Sequence, residues 1–527
     1  MKNTSPIHQI GLLFLFSVFY TNSYSQNILW EKSFGGKQAE YLLDAIPTPD
    51  YGFILAGSSL SDKSGNKEAT RKGNYDYCLW KISENGEIDW QKSYGGSNND
   101  MLISAKATKD GGYILAGTSD SPMKFDKTDA NIGQQDLWII RLDAGGNLLW
   151  QKTIGGLAEE QMGCIVQTFD GGFIIGASSS SDKYLGKKLE SNKNTIFKDT
   201  DSRGNLDYWV IKLDKEGGLE WQKTMGGNYL DQLRSITQTT QGDYLVGGVS
   251  NSDMSFEKNQ KNEGENDFWF MKLDKKGNLI WQQTYGGKGD DQLYTVIQTK
   301  DKNYVVAGNT NGATPKGNSP QGSDFLLLKV DENGAVLWEK LYSNGTDDVL
   351  TNLVKNNDET LLLCGYSRGN SKKKTEGTES YEVIKIDTDG EELWRKNVDK
   401  KGKNVLNKAI ETRDGGYVLA GTNSDSVTSD FWVVKLKDLK KPDAVKSTIE
   451  AFPNPASSYT NVIIGFDYTS GTANLYDLAG RLLQSFSITS RTVPIDLDGL
   501  PEGIYIVNID TNNGKQGIKV IKQEIKK

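Results

Sequence analysis

Six acidic residues recur at one position of a repeated sequence pattern, and they are the first candidates for chemistry. Each opens a strand-like segment a few residues after a Gly-Gly pair or its equivalent: Glu40, Asp100, Glu160, Asp231, Asp291 and Asp348, with Asn404 in a seventh unit. Such carboxylates could bind a cation or recognise a basic or hydroxyl-rich ligand. They could instead accept backbone N–H groups and fix the turn. We favour the turn-fixing role and keep the six as candidate ligand-binding residues.

Other groups for catalysis are scarce in this sequence. The one histidine, His8, lies in a predicted leader, so the mature chain is expected to lack histidine-based triads and general bases. The three cysteines, Cys78, Cys164 and Cys364, lie in apolar runs without CxxC spacing and are expected to be buried thiols. We predict no catalytic residue, no metal site and no cofactor. Because paired carboxylates can hydrolyse glycosides without histidine, a carbohydrate-active enzyme is kept as the alternative.

The charge of the chain argues against nucleic acid as a partner. The 527 residues carry a net charge of −8, with a pI of about 5.2 and a mean hydropathy of −0.56. Nucleic-acid binding requires a basic face, which this composition does not predict. The 57 glycines are typical of a turn-rich β protein, and the length predicts several domains or a repeat array.

The acidic positions belong to a repeat marked by a tryptophan phrase such as "LLWQKTIGG". The phrase occurs seven times, with its tryptophan at Trp30, Trp90, Trp150, Trp221, Trp281, Trp338 and Trp394. Three further strand-like segments follow each copy. We name these A, B and C, and the tryptophan phrase D. Short glycine turns join A to B and C to D, so four antiparallel strands per unit are predicted.

Radial repetition of such units predicts an all-β fold, a seven-bladed β-propeller over residues 26–437. The first D phrase has no C strand before it, and the last C strand has no D phrase after it. We therefore expect residues 27–34 to pair with residues 430–437, which closes the ring and covers a sheet edge. The tryptophans are expected to pack between blades rather than to stack on sugars. This pattern resembles the tryptophan-docking blades of quinoprotein-like propellers, without a basis for transferring their quinone cofactor.

Strand alternation predicts that the B–C loops and D–A turns share one face of the propeller. The B–C loops are long and polar, and they span residues 59–74, 118–135, 178–206, 249–266 and 309–323. Long loops on a rigid scaffold are common sites of binding, although solvated insertions without a function are equally compatible with this composition.

Both ends of the chain carry export features. Residues 1–25 have a lysine, an apolar run and a small-residue cleavage site, which predicts a signal peptide rather than a membrane span. After a polar linker at 438–449, residues 450–527 predict a small β-sandwich. This tail resembles the type A C-terminal sorting domain of the bacterial type IX secretion system. The residues that carry the resemblance are Pro453, Asn454, Pro455, Asp477, Gly480, Arg481, Gly503, Tyr505 and Lys519.

The resemblance implies export across the outer membrane by the type IX machinery. It also implies proteolytic removal of the tail, here at about 438–450, and a mature protein at the cell surface or in the medium. We expect the propeller to be a non-catalytic binding or adhesion module for a glycan or protein. A carboxylate-dependent enzyme and a purely structural surface protein are the alternatives, because a propeller fold does not choose among functions.

Overall fold

The computed structural model describes residues 26–523 except 187–193, 316–321, 345–346, 369–378, 414, 438–448 and 467. The predicted signal peptide at 1–25 and most of the predicted linker therefore lie outside the described residues. Every described element is a β-strand or an irregular turn. No described helix is long and apolar enough to cross a membrane.

The described part of residues 27–437 forms seven antiparallel sheets. The strand β1 (Asn27–Phe34) begins the chain's described region and belongs to the last of these sheets. The first sheet contains β2 (Glu40–Pro47), β3 (Phe53–Ser59), β4 (Asp76–Ile82) and β5 (Ile88–Tyr94). The second contains β6 (Asp100–Ala107), β7 (Tyr113–Ser119), β8 (Asp136–Leu142) and β9 (Leu148–Gly155).

The third and fourth sheets repeat this order. The third contains β10 (Glu160–Gln167), β11 (Phe173–Ser179), β13 (Asp207–Leu213) and β14 (Leu219–Met225). The short β12 (Thr195–Phe197), from the B–C loop of the third sheet, pairs in parallel with β9 of the second. The fourth sheet contains β15 (Asp231–Gln238), β16 (Tyr244–Ser250), β17 (Asp267–Leu273) and β18 (Leu279–Tyr285).

Three further sheets complete the repeat. The fifth contains β19 (Asp291–Gln298), β20 (Tyr304–Thr310), β21 (Asp324–Val330) and β22 (Val336–Tyr342). The sixth contains β23 (Asp347–Lys355), β24 (Leu361–Arg368), β25 (Glu379–Ile386) and β26 (Glu392–Val398). The seventh contains β27 (Lys403–Glu411), β28 (Tyr417–Ser424) and β29 (Ser429–Lys437), with β1 at its outer edge. The prediction of an all-β fold built from four-stranded antiparallel units is confirmed.

Burial explains why the strands differ in sequence. In the first five sheets every residue of the B and C strands is buried, as in β3 and β4, so these strands are nearly continuous apolar runs. The A strands instead alternate buried and half-buried residues. Each A strand contacts the A strand of the next sheet, and β27 contacts β2. The strand β1 pairs with β29 from Asn27 opposite Lys437 to Phe34 opposite Phe431.

The tryptophans of the D strands pack between neighbouring sheets. The Trp30 indole lies over the C–D turn of the first sheet, where its Nε1 donates to the Glu84 carbonyl at 3.0 Å. At the equivalent turn of the second sheet, a Cβ on Gly146 would lie 3.1 Å from the Trp90 ring. All seven are half-buried against a hydrophobic cluster. These contacts support the packing role expected for the repeated indoles.

The tail folds as two small antiparallel sheets around their own core. One contains β30 (Ile449–Phe452), β31 (Tyr459–Ile464) and β34 (Thr492–Asp496). The other contains β32 (Gly471–Asp477), β33 (Leu482–Ile488), β35 (Gly503–Thr511) and β36 (Gly514–Lys522). The core includes Val462, Leu475, Ile495 and Val507.

Candidate binding cleft

The B–C loops and D–A turns meet at one face of the sheets, here called the long-loop face. Tyr75 and Gln135 immediately precede the C strands β4 and β8, and Asn99 and Glu159 immediately precede the A strands β6 and β10. Because A and C are both antiparallel to B, their first residues lie at the same end of the sheet. The turns therefore bring these four side chains to one end of adjacent sheets.

A cleft of about 490 Å³ lies at this face between the first three sheets. It is lined by Tyr75, Asn99, Met101, Asp120, Gln134, Gln135 and Glu159. The lining combines one aromatic ring, several amides and two carboxylates. Aromatic faces pack on apolar ring surfaces of ligands, while amides and carboxylates hydrogen-bond hydroxyl groups. The cleft thus has side chains suited to a hydroxyl-rich ligand.

Hydrogen bonds fix part of the lining in place. The backbone N–H of Asn99 donates to Asp120 Oδ1 at 2.7 Å, and its Nδ2 donates to Asp120 Oδ2 at 3.0 Å. Gln135 Nε2 donates to Thr118 Oγ1 at 2.8 Å. Gln134 and Glu159 are exposed, so their polar ends face solvent at the cleft.

The aromatic wall of the cleft belongs to a pair of tyrosines. The rings of Tyr41 and Tyr75 have centroids 6.1 Å apart and planes tilted by 38°. Burial, with a contribution from Tyr41, raises the pKa of Tyr75 above its usual value. Tyr75 therefore stays protonated at neutral pH and can both donate and accept a hydrogen bond.

The six predicted ligand-binding acids lie at the starts of the A strands and are buried. In each, one carboxylate oxygen accepts a backbone N–H from the residue four positions earlier, at 2.5 to 3.1 Å. The six are Glu40, Asp100, Glu160, Asp231, Asp291 and Asp348. Asn404 makes the corresponding contact by donating from Nδ2 to the Lys400 carbonyl at 2.6 Å. This geometry is that of the turn-fixing role, and none of the six lines the cleft.

A second acid lies beside most of these residues and was not predicted from the sequence. A Cβ on Gly155 would lie 2.0 Å from Asp136 Oδ1 and 2.9 Å from Glu160 Oε2, so both carboxyl groups flank this glycine. Asp430 and Glu40 flank Gly35, and Asp267 and Asp291 flank Gly286, in the same way. Burial raises the pKa of Asp136 to about 8 and those of Asp267 and Asp430 to about 6. The signal in the sequence was an aspartate that is the first residue of five C strands and the second residue, Asp430, of β29.

Four buried lysines of the B–C loops were also missed. Lys67, Lys127, Lys198 and Lys258 are nearly inaccessible to solvent. Their ammonium groups donate to loop carbonyls, for example from Lys67 to Ser61 at 2.7 Å. Burial lowers the pKa of Lys127 to about 8, although nearby acids oppose this shift. Each lysine therefore holds its own B–C loop in place through hydrogen bonds to the loop backbone.

Two classes of site receive no support from the described residues. No group of three or more histidine, cysteine, aspartate or glutamate side chains among them could hold a metal ion. The cysteines are unpaired; Cys78 and Cys364 are buried and Cys164 is half-buried. Burial raises the pKa of Cys78 to about 12 and that of Cys164 to about 11, so neither is an activated thiolate.

The predicted sorting residues hold the tail together at three places. Asn454, between Pro453 and Pro455, donates to the Lys519 carbonyl at 2.8 Å and accepts the Ile521 N–H at 2.9 Å, which ties the start of the tail to its last strand. Asp477 and Arg481 close the turn that contains Gly480, with Nε to Oδ2 at 3.0 Å. Gly503 begins β35, and Tyr505 on that strand donates to the Pro501 carbonyl at 2.7 Å.

Comparison with known families agrees with this placement. Residues 450–523 match the model of the secretion system C-terminal sorting domain. The tail is a type IX sorting domain. The sorting domain marks the chain as a secreted cargo of the type IX machinery, exported across the outer membrane to the cell surface or extracellular space.

The chain is also similar to proteins that share little sequence identity with it. It is similar to regulatory protein FlaEY of Caulobacter vibrioides, with 22% identity over 299 residues that cover 53% of this chain and 30% of that protein. The chain thus matches less than a third of the length of this relative. A neuraminidase-like protein of a little yellow-shouldered bat isolate has a TM-score of 0.34 at 6% identity, covering 78% of this chain and all of that one. The intramolecular trans-sialidase from Ruminococcus gnavus has a TM-score of 0.36 at 11% identity, with coverage of 81% and 100%.

Proposed function

We propose that residues 26–437 form a closed seven-bladed propeller that acts as a non-catalytic binding or adhesion module, delivered by the sorting domain at 450–527. The pairing of β1 with β29 and the contact between β27 and β2 support closure. Under this proposal the linker spans 438–449 and the signal peptide spans 1–25.

The ligand of the propeller, in this proposal, is a glycan bound in the cleft of the long-loop face. The observation that carries the proposal is the lining of that cleft, in which Tyr75 lies beside amides and carboxylates. Sugars offer apolar ring faces and many hydroxyl groups, which such side chains recognise together. The long B–C loops, braced by the buried lysines, give this face the rigidity that binding needs.

Two carboxylates in the same cleft keep hydrolysis as a second candidate function. Asp120 and Glu159 both line the cleft, and glycosidases use such pairs. Both oxygens of Asp120, however, accept hydrogen bonds from Asn99. These bonds hold the carboxylate against the turn rather than leaving it to reach a glycosidic oxygen, so binding is the better supported function.

A glycan array followed by calorimetric titration tests the proposal. The purified chain should bind one class of oligosaccharide, and Tyr75→Ala should weaken that binding about fivefold, because a packed aromatic ring is worth about 1 kcal/mol. Tyr229→Ala is the matched control, since Tyr229 is exposed on a D–A turn outside the cleft.

Three results, from these binding assays and from companion assays of protein capture, sugar release and loop deletion, would contradict the proposal. The absence of glycan binding, together with capture of a surface protein through the same face, would identify a protein ligand. Release of shorter sugars that Glu159→Gln abolishes while binding persists would identify an enzyme. Loop deletions that change no binding assay would leave a structural role.

A further inference from the structure

The sorting domain lies against the face of the sheets opposite the long loops. This short-turn face is formed by the A–B and C–D turns. Thr492 Oγ1 donates a hydrogen bond to Asp50 in the A–B turn of the first sheet. Arg491 Nη1 lies 3.4 Å from Glu84 Oε1 in the C–D turn of the same sheet. A further contact comes from the seventh sheet, where Arg413 pairs with Glu450 at 3.1 Å.

The repeat supplies an internal comparison for the first of these contacts. Among the described residues, four A–B turns carry an aspartate that pairs with a lysine of the C strand at 2.9 to 3.1 Å: Asp50, Asp170, Asp301 and Asp358. The Asp50 side chain is 2% exposed, whereas the other three are 57%, 47% and 39% exposed. Thr492 of the tail hydrogen-bonds the Asp50 carboxylate, which accounts for its difference from the other turns.

The charge of Asp50 is maintained despite this burial. Burial pushes its pKa up, but Lys81 and the hydrogen bonds from Thr48 and Thr492 outweigh that effect and leave the pKa below its usual value. The tail therefore contributes a donor to a buried carboxylate. Removing such a donor from a buried charged group is costly, because the charge then lacks a hydrogen bond that water cannot replace.

Tyr51 places an aromatic ring at a turn position where the other units have none. It has a φ of 67°, and the equivalent residues of other units are glycine, lysine or glutamate, such as Gly111 and Lys302. A bulky residue with positive φ is unfavourable and is retained where the surroundings compensate. The guanidinium of Arg413 lies 4.4 Å from the centre of the Tyr51 ring and also contacts Glu450 of the tail.

The ion pair between Arg491 and Glu84 is largely withdrawn from water. The two side chains are 12% and 14% exposed. Charge pairs with this degree of burial resist screening, and loss of one partner leaves the other desolvated. Beside the other ion pair, Arg413–Glu450, a mainly apolar cavity of about 410 Å³ is also lined by Tyr113 from the sheets and by Phe452 from the tail.

We propose that Asp50, Tyr51, Glu84 and Arg413 form a docking surface for the chain's own sorting domain. The surface holds the tail on the short-turn face and leaves the long-loop face open to a ligand while the tail is attached. The occupant is identified by charge complementarity and by the selective burial of Asp50. This inference concerns the opposite face from the proposed cleft and stands whether or not a glycan binds there.

Hydrogen exchange of the full chain, read by mass spectrometry, tests the docking. Glu84→Arg and Arg491→Glu should each accelerate exchange of the turn at 48–52 about tenfold or more, because each places like charges together at a buried contact. The doubly reversed chain, with both substitutions, should recover the original protection. Exchange of the third-sheet turn at 168–172 should not change in any of these three variants, which excludes general unfolding.

Two additional variants separate docking from folding of the tail. Thr492→Val keeps the size and β-branching of the side chain but removes its hydroxyl, and it should also expose the turn at 48–52. Asp170→Ala is the matched control, because it removes the equivalent carboxylate from a turn that the tail does not touch. Unchanged exchange at 48–52 in both single charge reversals and in Thr492→Val would overturn the proposal.

Discussion

Buried acid pairs between the sheets predict an unusual dependence of stability on pH. Asp136 and Glu160 are both fully buried and flank Gly155. Glu160 accepts hydrogen bonds from the N–H of Gly156 and the hydroxyls of Ser179 and Ser181, which favour its ionised form. Burial raises the pKa of Asp136 from 3.8 to about 8. We infer that the pair holds one proton, mainly on Asp136.

The sign of the effect follows from linkage. The unfolded chain releases the Asp136 proton near pH 4, whereas the folded chain keeps it to about pH 8. The stabilisation is therefore complete below the unfolded pKa and is lost as the pH rises towards the folded one. One proton changes the free energy of unfolding by about 1.4 kcal/mol per pH unit. From pH 5 to 7 this pair alone should cost the folded chain about 2.7 kcal/mol.

The assay is urea unfolding of the wild-type chain and Asp136→Asn at pH 5, 6 and 7. Asparagine has the same shape and can donate to Glu160 without holding a titratable proton. The free energy of unfolding should fall less steeply with pH in the variant, by about 1.4 kcal/mol per unit. Asp389→Asn, at an exposed turn, is the control and should keep the wild-type slope. Parallel slopes for wild type and Asp136→Asn would refute the shared proton.

Three further outcomes are expected. Deletion of 27–34 should remove the outer strand of the seventh sheet and lower the melting temperature strongly; an unchanged melting temperature would contradict ring closure. Gly155→Ala should destabilise the chain by about 1–3 kcal/mol in urea unfolding, because its Cβ would lie 2.0 Å from Asp136 Oδ1. Gly145→Ala, whose nearest neighbour would be 3.4 Å away, should change stability little. Mass spectrometry of the exported protein should show a C-terminus within 438–450, and a retained tail would contradict the expected processing.

The repeat made most of the strand order predictable from the sequence. The tryptophan phrase, the short glycine turns and the continuous apolar B and C strands are local patterns, and such patterns determine where strands begin and end. The expected pairing of residues 27–34 with 430–437 depended only on counting the units. β12 escaped prediction because a three-residue strand inside a polar loop carries almost no periodic signal.

The chemistry between sheets could not be predicted in the same way. Asp136 begins a C strand and Glu160 begins the A strand of the next sheet, and the two meet only because the D strand between them folds back along its neighbour. The inferred sharing of a proton depends on the burial of both carboxyl groups, and the recurrence of acidic residues in the sequence does not indicate that burial. The cleft was missed for a related reason. Tyr75 precedes a C strand, Asn99 and Glu159 precede A strands, and these two turn positions carry different residues in other units.

Contacts of the tail with the sheets had no sequence signature. Glu84 and Arg491 are ordinary charged residues in a turn and a loop, and only the packing of the two parts makes them an ion pair. The identity of the tail, in contrast, was predictable from the sequence. Its Pro-Asn-Pro segment and its glycine turns are specific enough to indicate the sorting domain.

Surface labelling of intact host cells tests most directly whether the tail delivers the propeller. Cells producing the full chain and cells producing the chain without 450–527 are stained with an antibody against the propeller and counted by flow cytometry. The account predicts staining of intact cells only for the full chain, with the truncated chain detected after the outer membrane is opened. Equal staining of intact cells in both strains would contradict the role of the sorting domain in export.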